Sequence, residues 1–221
     1  MSIPKTTELF DLSHTLARNL LSELEYPFLS LPYLKEYVIN TGKRLGSSEF
    51  YSPEENVFIS RTAKISQGAR ICGPAIICSG AEIRHGAFIR GSAIIGEGAV
   101  IGNASEIKNS IIFDGAKLPH YNYAGDSIIG YRAHLGAGAI ASNFKLDHSE
   151  IAFIDAEGKT ASGLKKLGAM IGDFAEIGCN TVLLPGAVIG RRSLVYPLSC
   201  IRGIIGADLI YKKDENIIEK R

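Results

Sequence analysis

"AKISQGARICGPAIICSGAEIRHGAFIRGSAIIGEGAVI", residues 63 to 101, repeats one pattern every six residues. Alanine opens each unit and isoleucine stands two positions later. The isoleucines keep this spacing beyond the quoted stretch, at positions 59, 65, 71, 77, 83, 89, 95, 101 and 107. A unit of six residues is too short for a helix pair or a propeller blade, so the repeat predicts one flat side of a solenoid.

The geometry of extended chain explains why these residue types recur. Residues two apart point to the same side of a strand, so each alanine and its following isoleucine face inward and the residue between them faces out. Small residues such as Gly68, Gly80 and Ser92 suit the corners. Three sides close a coil of about eighteen residues, and coils stack at roughly 4.8 Å. We therefore predict an all-β solenoid, a single-stranded parallel β-helix, over residues 51–203; a sandwich would need hairpin turns that this stretch lacks.

The first part of the chain has a different pattern. In residues 1–50, leucines from Leu9 to Leu24 follow helical spacing until Pro27, and a shorter apolar helix is expected around Leu34 to Val38. A solenoid leaves its first coil with unpaired edges and an open core. We therefore predict an N-terminal helical cap, in preference to a partner-binding role.

Two more segments fall outside the regular rhythm. Residues 142–168 are polar and too long for a corner, and we predict an inserted loop there. Residues 204–221 form a C-terminal tail, which we expect to cover the other end of the solenoid.

Composition narrows the function classes. The chain has 221 residues, 46% hydrophobic and 21% charged, with a net charge of +1. Neither a charge bias nor a block of Lys and Arg points to nucleic acid, and no apolar run is long enough to span a membrane. The N-terminus does not resemble a signal peptide, so a cytoplasmic protein is expected.

The rhythm slips in "SEIKNSIIFDGAKLPHYNYAGD", residues 105–126, where a histidine arrives between apolar and aromatic residues. Around it stand, in order, E-[IV]-K, a histidine twelve residues after that lysine, a tyrosine three later, G-D, I-G, G-A-G and [ST]-N-[YF]. This ordered set resembles the acetyltransferase half of the bifunctional N-acetylglucosamine-1-phosphate uridyltransferase family, including the archaeal sugar-1-phosphate nucleotidylyltransferases. The resemblance, a branch of the hexapeptide-repeat acyltransferases, implies a left-handed coil, acetyl-CoA as acyl donor and a homotrimer.

The resemblance also implies roles for individual residues. The family's catalytic base falls on His120 and its active-site asparagine on Asn143. Its sugar-phosphate contacts fall on Arg90, Lys108 and Tyr123, and more loosely on Lys165 or Lys166. Positions near acetyl-CoA correspond to Ala137 and Cys179, the latter where the family usually has serine. His134 stands where the family usually has asparagine and is either a substrate contact or a surface residue.

The chemistry of acyl transfer agrees with these residue types. An amino-sugar amine is largely protonated at neutral pH, and an imidazole can remove its proton before the amine attacks the thioester. Arg90 and Lys108 are eighteen residues apart, which is one coil of the predicted solenoid. We therefore expect them to stack on one face and to hold a phosphate, the Arg through its planar fork and the Lys as a point charge.

The sequence departs from the family pattern in two places. Ser149 stands where family members have a lysine after the N-[YF] motif. No Gly-rich L-x-G-G-x-G loop is present, so we expect no nucleotidyltransferase domain in this chain.

The sequence hypothesis is an acyltransferase that N-acetylates an amino-sugar phosphate, such as glucosamine 1-phosphate, in UDP-N-acetylglucosamine and cell-envelope sugar-nucleotide metabolism. The alternative is a non-catalytic domain that binds a sugar nucleotide or stabilises a separate nucleotidyltransferase. A zinc carbonic anhydrase of the β-helix type would need three histidines, two of them close in sequence, and the spacing of His85, His120, His134 and His148 does not match that pattern. No metal is therefore expected.

Overall fold

The computed structural model describes residues 2–155, 158–212 and 217–220. From Val57 to Tyr211 the chain winds through about eight turns of a parallel β-solenoid with three faces, here called A, B and C. This is the single-stranded parallel β-helix that the hexapeptide rhythm predicts, and the predicted fold class is confirmed.

Each face is a sheet whose strands follow one another at one strand per coil. Face A contains β1 (Phe50–Tyr51), β2 (Val57–Ser60), β5 (Ala75–Ile77), β8 (Ala93–Ile95), β11 (Ser110–Ile112), β14 (Ile128–Ile129), β19 (Met170–Ile171), β22 (Val188–Ile189) and β25 (Ile204–Ile205). Face B contains β3 (Lys64–Ile65), β6 (Glu82–Ile83), β9 (Val100–Asn103), β12 (Lys117–His120), β15 (His134–Leu135), β20 (Glu176–Ile177), β23 (Leu194–Val195), β26 (Leu209–Tyr211) and β27 (Ile217–Glu219). Face C contains β4 (Arg70–Ile71), β7 (Phe88–Ile89), β10 (Glu106–Lys108), β13 (Tyr123–Gly125), β16 (Ile140–Ala141), β21 (Val182–Leu183) and β24 (Cys200–Ile201).

The core is the stack of inward side chains along the axis. Ile83, Ile89, Ile95 and Ile101, one from each successive side, are fully buried, and the alanines that precede them lie at the corners. Burying an isoleucine side chain stabilises the fold by about 1.5–3 kcal/mol. The six-residue rhythm therefore supplies both the shape of the coil and most of its stability.

The change in isoleucine spacing arises because two corners are one residue shorter than the others. Ile95 pairs with Ile112 and Ile112 with Ile129, so the inward stack continues through the segment where the isoleucine spacing changes. The corners after Lys108 and after Gly125 each contain one residue fewer than the six-residue unit, while Leu118 takes an inward place. Nothing in the coil is interrupted at His120.

The N-terminal segment contains three short α-helices, α1 (Thr6–Leu9), α2 (Arg18–Ser22) and α3 (Leu34–Gly42), and two 3-10 turns at Leu12–His14 and Pro27–Tyr33. The continuous helix expected from Leu9 to Leu24 is not formed. Backbone groups in this stretch bond to the solenoid instead: Leu9 O accepts from Asp173 N–H at 3.0 Å, and His14 O accepts from Asp114 N–H at 3.1 Å. These tertiary bonds take carbonyls that a helix would have used.

These helices pack along face A and form only a minor cap. The outward residues of face A join one cluster with the apolar side chains of the N-terminal segment; they are Ile76, Ile94, Ile111, Ile128, Met170 and Val188. One edge of face A and one edge of face B are covered by strands: β1 pairs antiparallel with β2, and β27 pairs antiparallel with β26. None of the described helices is long and apolar enough to cross a membrane.

The inserted segment 142–168, described except for residues 156 and 157, contains an antiparallel hairpin of β17 (Ala152–Asp155) and β18 (Gly158–Ala161). Its Ile151, Phe153 and Leu167 pack into the same cluster over face A, where the Phe153 and Phe28 rings lie 4.9 Å apart. The insertion therefore covers face A. The polar groups of the site occupy outward positions on face C.

Candidate functional site

A column of polar residues follows the end of face C where the chain turns toward face A. Ile89 pairs with Ile107, so Arg90 lies one coil below Lys108, and the Arg90 N–H donates to Ile107 O at 2.8 Å. Lys108 in turn pairs with Gly125. The eighteen-residue spacing therefore does what the sequence predicts: it stacks the two cations on one face.

Asp126 lies at this end of face C, surrounded by polar side chains. Its carboxylate is 3.0 Å from Lys108 Nζ and accepts from Asn109 Nδ2 at 2.8 Å and from Asn143 Nδ2. The side chain of Asp126 is 6% exposed and that of Lys108 is 26% exposed. We call Lys108, Asn109, Tyr123, Asp126 and Asn143 the Asp126 cluster.

Gly125 makes room for two members of the cluster. A Cβ atom at this position would lie 2.4 Å from the Tyr123 hydroxyl oxygen and 2.6 Å from Asn143 Nδ2. Any larger residue would push both side chains away. Burial raises the pKa of Tyr123, with further contributions from Glu106 and Asp126, so its hydroxyl stays protonated and able to donate.

Arg90 has its own carboxylate partner. Its Nη1 is 2.7 Å from Glu106 Oε1, and this hydrogen bond, with the charge of Glu106, raises the pKa of Arg90. Glu106 is the neighbour of Tyr123 in the strand register. The two cations and their two carboxylates thus form a charge-balanced patch at this end of face C.

His120 lies at the other end of β13, in the corner between faces B and C. Its N–H donates to Asn122 Oδ1 at 3.1 Å, and the buried Asn122 donates to Gly136 O at 2.8 Å and Ala139 O at 3.3 Å. This buried asparagine fixes the corner, so that His120 is exposed. Within the described residues the imidazole of His120 makes no hydrogen bond, and no hydrogen bond or ion pair joins it to the Asp126 cluster.

Ala137 and Cys179 follow His120 along the same corner. Gly138 N–H donates to His120 O at 3.1 Å, and Asn180 N–H donates to Ala137 O at 2.8 Å. Cys179 is exposed, one coil further. The positions that the resemblance places near acetyl-CoA therefore lie beside the histidine that it makes the base.

The remaining candidates are placed differently. His134 lies on face B, where its Nδ1 is 2.8 Å from Glu176 Oε2, away from face C. Lys166 Nζ lies 5.9 Å from the ring centroid of Phe144, the residue after Asn143, and Leu167 N–H donates to Asn143 O at 3.0 Å. The structure thus brings Lys166 near the cluster. Lys165 is exposed.

Three residues of the site were not assigned from the sequence: Glu106, Asn109 and Asp126. Glu106 and Asp126 belong to the E-[IV]-K and G-D pairs of the motif, which was the available signal. Their roles as ion-pair partners depend on the coil register. In the described part of the chain, no group of three or more His, Cys, Asp or Glu side chains is placed to hold a metal ion.

Sequence comparison finds relatives over part of this chain. Residues 71–146 match the family described as "GMPPB C-terminal domain". The bifunctional protein GlmU of Methanococcus maripaludis is 40% identical over 118 residues, which are 52% of this chain and 28% of that protein. The bifunctional sugar-1-phosphate nucleotidylyltransferase/acetyltransferase of Sulfurisphaera tokodaii is 37% identical over 108 residues, 48% of this chain and 27% of that protein. The chain therefore spans less than a third of the length of these relatives.

Structure comparison finds an acetyltransferase domain and an N-acyltransferase at low identity. The acetyltransferase domain of PglB from Neisseria gonorrhoeae, solved with acetyl coenzyme A, matches with a TM-score of 0.41 and 15% identity, over 70% of this chain and 53% of that one. A point mutant of the N-acyltransferase AntD from Bacillus cereus, solved with dTDP and coenzyme A, matches with a TM-score of 0.36 and 20% identity, over 78% and 91%. The sequence relatives confirm the resemblance carried by the motifs between Arg90 and Asn143: over about half of its length, this chain is similar to bifunctional GlmU and sugar-1-phosphate nucleotidylyltransferase/acetyltransferase proteins.

Proposed function

We propose that this protein is an acyltransferase that uses acetyl-CoA to acetylate the amine of an amino-sugar phosphate such as glucosamine 1-phosphate. The observation that carries the proposal is the layout of face C. Arg90 and Lys108 are stacked at one end of its strands and His120 is exposed at the other end, beside Ala137 and Cys179. The relatives named above, a bifunctional protein GlmU and a bifunctional sugar-1-phosphate nucleotidylyltransferase/acetyltransferase, support the same substrate class.

The phosphate would bind at the Arg90 end. Arg90 and Glu106 form an exposed pair, and exposed pairs are weak in water, so Arg90 can turn to a phosphate at little cost. A guanidinium binds phosphate oxygens in a bidentate way, and this geometry would fix the orientation of the sugar.

The chemical step needs a base near the amine. In the proposed reaction the ammonium loses one proton to water, and the neutral amine nitrogen then forms a bond to the thioester carbonyl carbon while His120 removes a second proton from it. The carbon–sulfur bond breaks, and coenzyme A leaves as a thiol by taking the proton from the imidazolium. Histidine is the side chain suited to this role, because an imidazole can both accept and return a proton near neutral pH.

The test is release of coenzyme A thiol by the purified protein with acetyl-CoA and glucosamine 1-phosphate or galactosamine 1-phosphate. His120→Ala should lower kcat by about 100-fold or more, which is the usual contribution of a general base. The matched control is His85→Ala, because His85 is an exposed histidine in the same corner whose ring is bound to Gln67 O at 2.9 Å. Its kcat should equal that of the wild type.

A second candidate is a non-catalytic domain that binds a sugar nucleotide or stabilises a separate nucleotidyltransferase. The observation in its favour is that both Arg90 and Lys108 already have carboxylate partners in this chain. Absence of thiol release with every acceptor, together with calorimetric binding of a sugar nucleotide, would support this function in place of the transferase.

A further inference from the structure

Asp126 is a buried acid that no sequence pattern assigned to the site. It is 4% exposed, and its carboxylate receives hydrogen bonds from Lys108, Asn109 and Asn143, which come from two neighbouring coils. We propose that Asp126 is a positioning residue of the transfer site: it orients the carboxamide of Asn143 and leaves the oxygen of that carboxamide to accept from the substrate's amine. This inference rests on the proposed function.

The orientation follows from what each group can donate. A carboxylate only accepts hydrogen bonds, whereas a carboxamide has one accepting and one donating end. Asn143 must therefore turn its amino group toward Asp126, and its oxygen is the end left over. The same carboxylate balances the ammonium of Lys108, which is 3.0 Å and 3.3 Å from its two oxygens.

The backbone around Asp126 holds this arrangement in place. Asp126 and Asn109 occupy the two shortened corners with φ of 48° and 47°, a left-handed conformation that Asp and Asn tolerate better than most residues. Gly168 N–H donates to Asp126 O at 2.8 Å, and Leu167 N–H donates to Asn143 O at 3.0 Å. These two hydrogen bonds from the end of the insertion thus fix the backbone of Asp126 and Asn143.

An asparagine at position 126 would have the same shape but not the same effect. Its amino group would face donors on Lys108, Asn109 and Asn143, and the carboxamide of Asn143 would no longer have one preferred orientation. Partners that orient metal-bound side chains typically change activity by about 10- to 100-fold when they are removed, and we take the same scale for a group that orients Asn143. We expect that range for kcat of Asp126→Asn, with the KM for acetyl-CoA unchanged.

A double-mutant cycle with Asn143→Ala tests the proposal. If Asp126 acts through Asn143, then Asp126→Asn lowers kcat in the wild-type background and causes no further loss in the Asn143→Ala background, because coupled residues are not additive. The matched control is Asp173→Asn. Asp173 is also a fully buried aspartate, paired with Arg191 at 3.2 Å in the corner between faces A and B. This control should lower the Tm without changing kcat.

The exchange variant Asp126→Asn/Asn143→Asp covers the case in which the single variant does not fold. It keeps the net charge and a hydrogen bond between the two positions, but position 126 now donates and position 143 accepts. The variant should therefore fold, and its kcat should stay as low as that of Asp126→Asn. A wild-type kcat in the exchange variant or in Asp126→Asn would overturn the proposal. Equal losses of kcat from Asp126→Asn in the wild-type and Asn143→Ala backgrounds would also overturn it. The transferase function would stand in each of these cases.

Failure of the proposed function gives a different result, because the wild type then releases no thiol with any acceptor. Crystal structures of the wild type and of Asp126→Asn then decide. A rotated or split Asn143 carboxamide in the variant supports positioning by Asp126. An unchanged carboxamide with the same partners overturns it.

Discussion

Arg90 and Lys108 are both cations at one end of face C, but their surroundings give them different properties. The side chain of Arg90 is 46% exposed and its pair with Glu106 can open, whereas Lys108 is held by the buried Asp126. An exposed pair is easily exchanged for another anion, and removal of one partner from a buried pair leaves an uncompensated charge. Arg90 is therefore the residue at which phosphate binding can be tested without disturbing the fold.

Arg90→Ala should raise the KM for the amino-sugar phosphate and leave the Tm unchanged. A hydrogen bond to a charged group contributes about 1.5–3 kcal/mol, which corresponds to a rise of roughly 10- to 100-fold. Steady-state kinetics with each substrate varied in turn measures the effect, and the KM for acetyl-CoA should stay constant. Arg70→Ala is the matched control, since Arg70 is an exposed arginine on the same face and also pairs with a glutamate, Glu54, at 2.7 Å. Equal KM values for the two variants would contradict the phosphate role.

At the scale of strands and helices, the repeat predicts the strands because its cause is local. Alternation places Ile83 and Ile89 inward whatever the rest of the chain does, so their burial follows from spacing alone. The sequence also carries a signal for the segments that cover face A. Its strands carry an isoleucine in the outward position, at Ile76, Ile94 and Ile111, where faces B and C carry Glu82 or Arg70.

The Asp126 cluster was less predictable because it depends on lengths. The corners after Lys108 and Gly125 are each one residue short, and this brings Asn109 next to Asp126. Asn143 reaches them from the coil above, just before the insertion begins. A spacing rule that assumes six residues per side shows that Arg90 and Lys108 stack, but it does not show which acids lie beside them.

The cover over face A gives a prediction for stability. Phe10 is 2% exposed and its ring centroid is 5.0 Å from that of Phe113 on the solenoid. Phe10→Ala removes this contact and leaves a cavity, so the free energy of unfolding should fall by about 3–5 kcal/mol. Urea titration followed by circular dichroism measures the change. Leu146→Ala is the control, because Leu146 is 99% exposed, and its unfolding midpoint should match the wild type. A Phe10→Ala midpoint equal to that of the control would show that the N-terminal segment does not stabilise the solenoid.

At the scale of the whole molecule, the two parts of the proposed site are separated within one chain. β13 lies between them, with His120 before its first residue and the Asp126 cluster around its last. Face A is covered by the N-terminal segment and the hairpin, while face C carries its outward side chains without such a cover among the described residues. We propose that a neighbouring copy packs against face C and places its own His120 corner beside the cluster. The proposed homotrimer therefore has a functional reason, because cyclic packing repeats this contact at each interface.

Mixed oligomers test this arrangement. His120→Ala lacks the base and Arg90→Ala lacks the phosphate ligand, so each variant alone should be slow or bind its substrate weakly. If each site takes His120 from one copy and Arg90 from the next, random co-assembly of the two variants leaves about a quarter of the interfaces intact, as cyclic symmetry requires. The two variants are co-expressed with different affinity tags, and light scattering checks the trimer mass. Thiol release by the mixed oligomers at low amino-sugar phosphate should then reach about that fraction of wild-type activity. Sites built within a single copy would give no recovery, since every site would carry one of the two defects, and monomeric protein that turns over substrate would lead to the same conclusion.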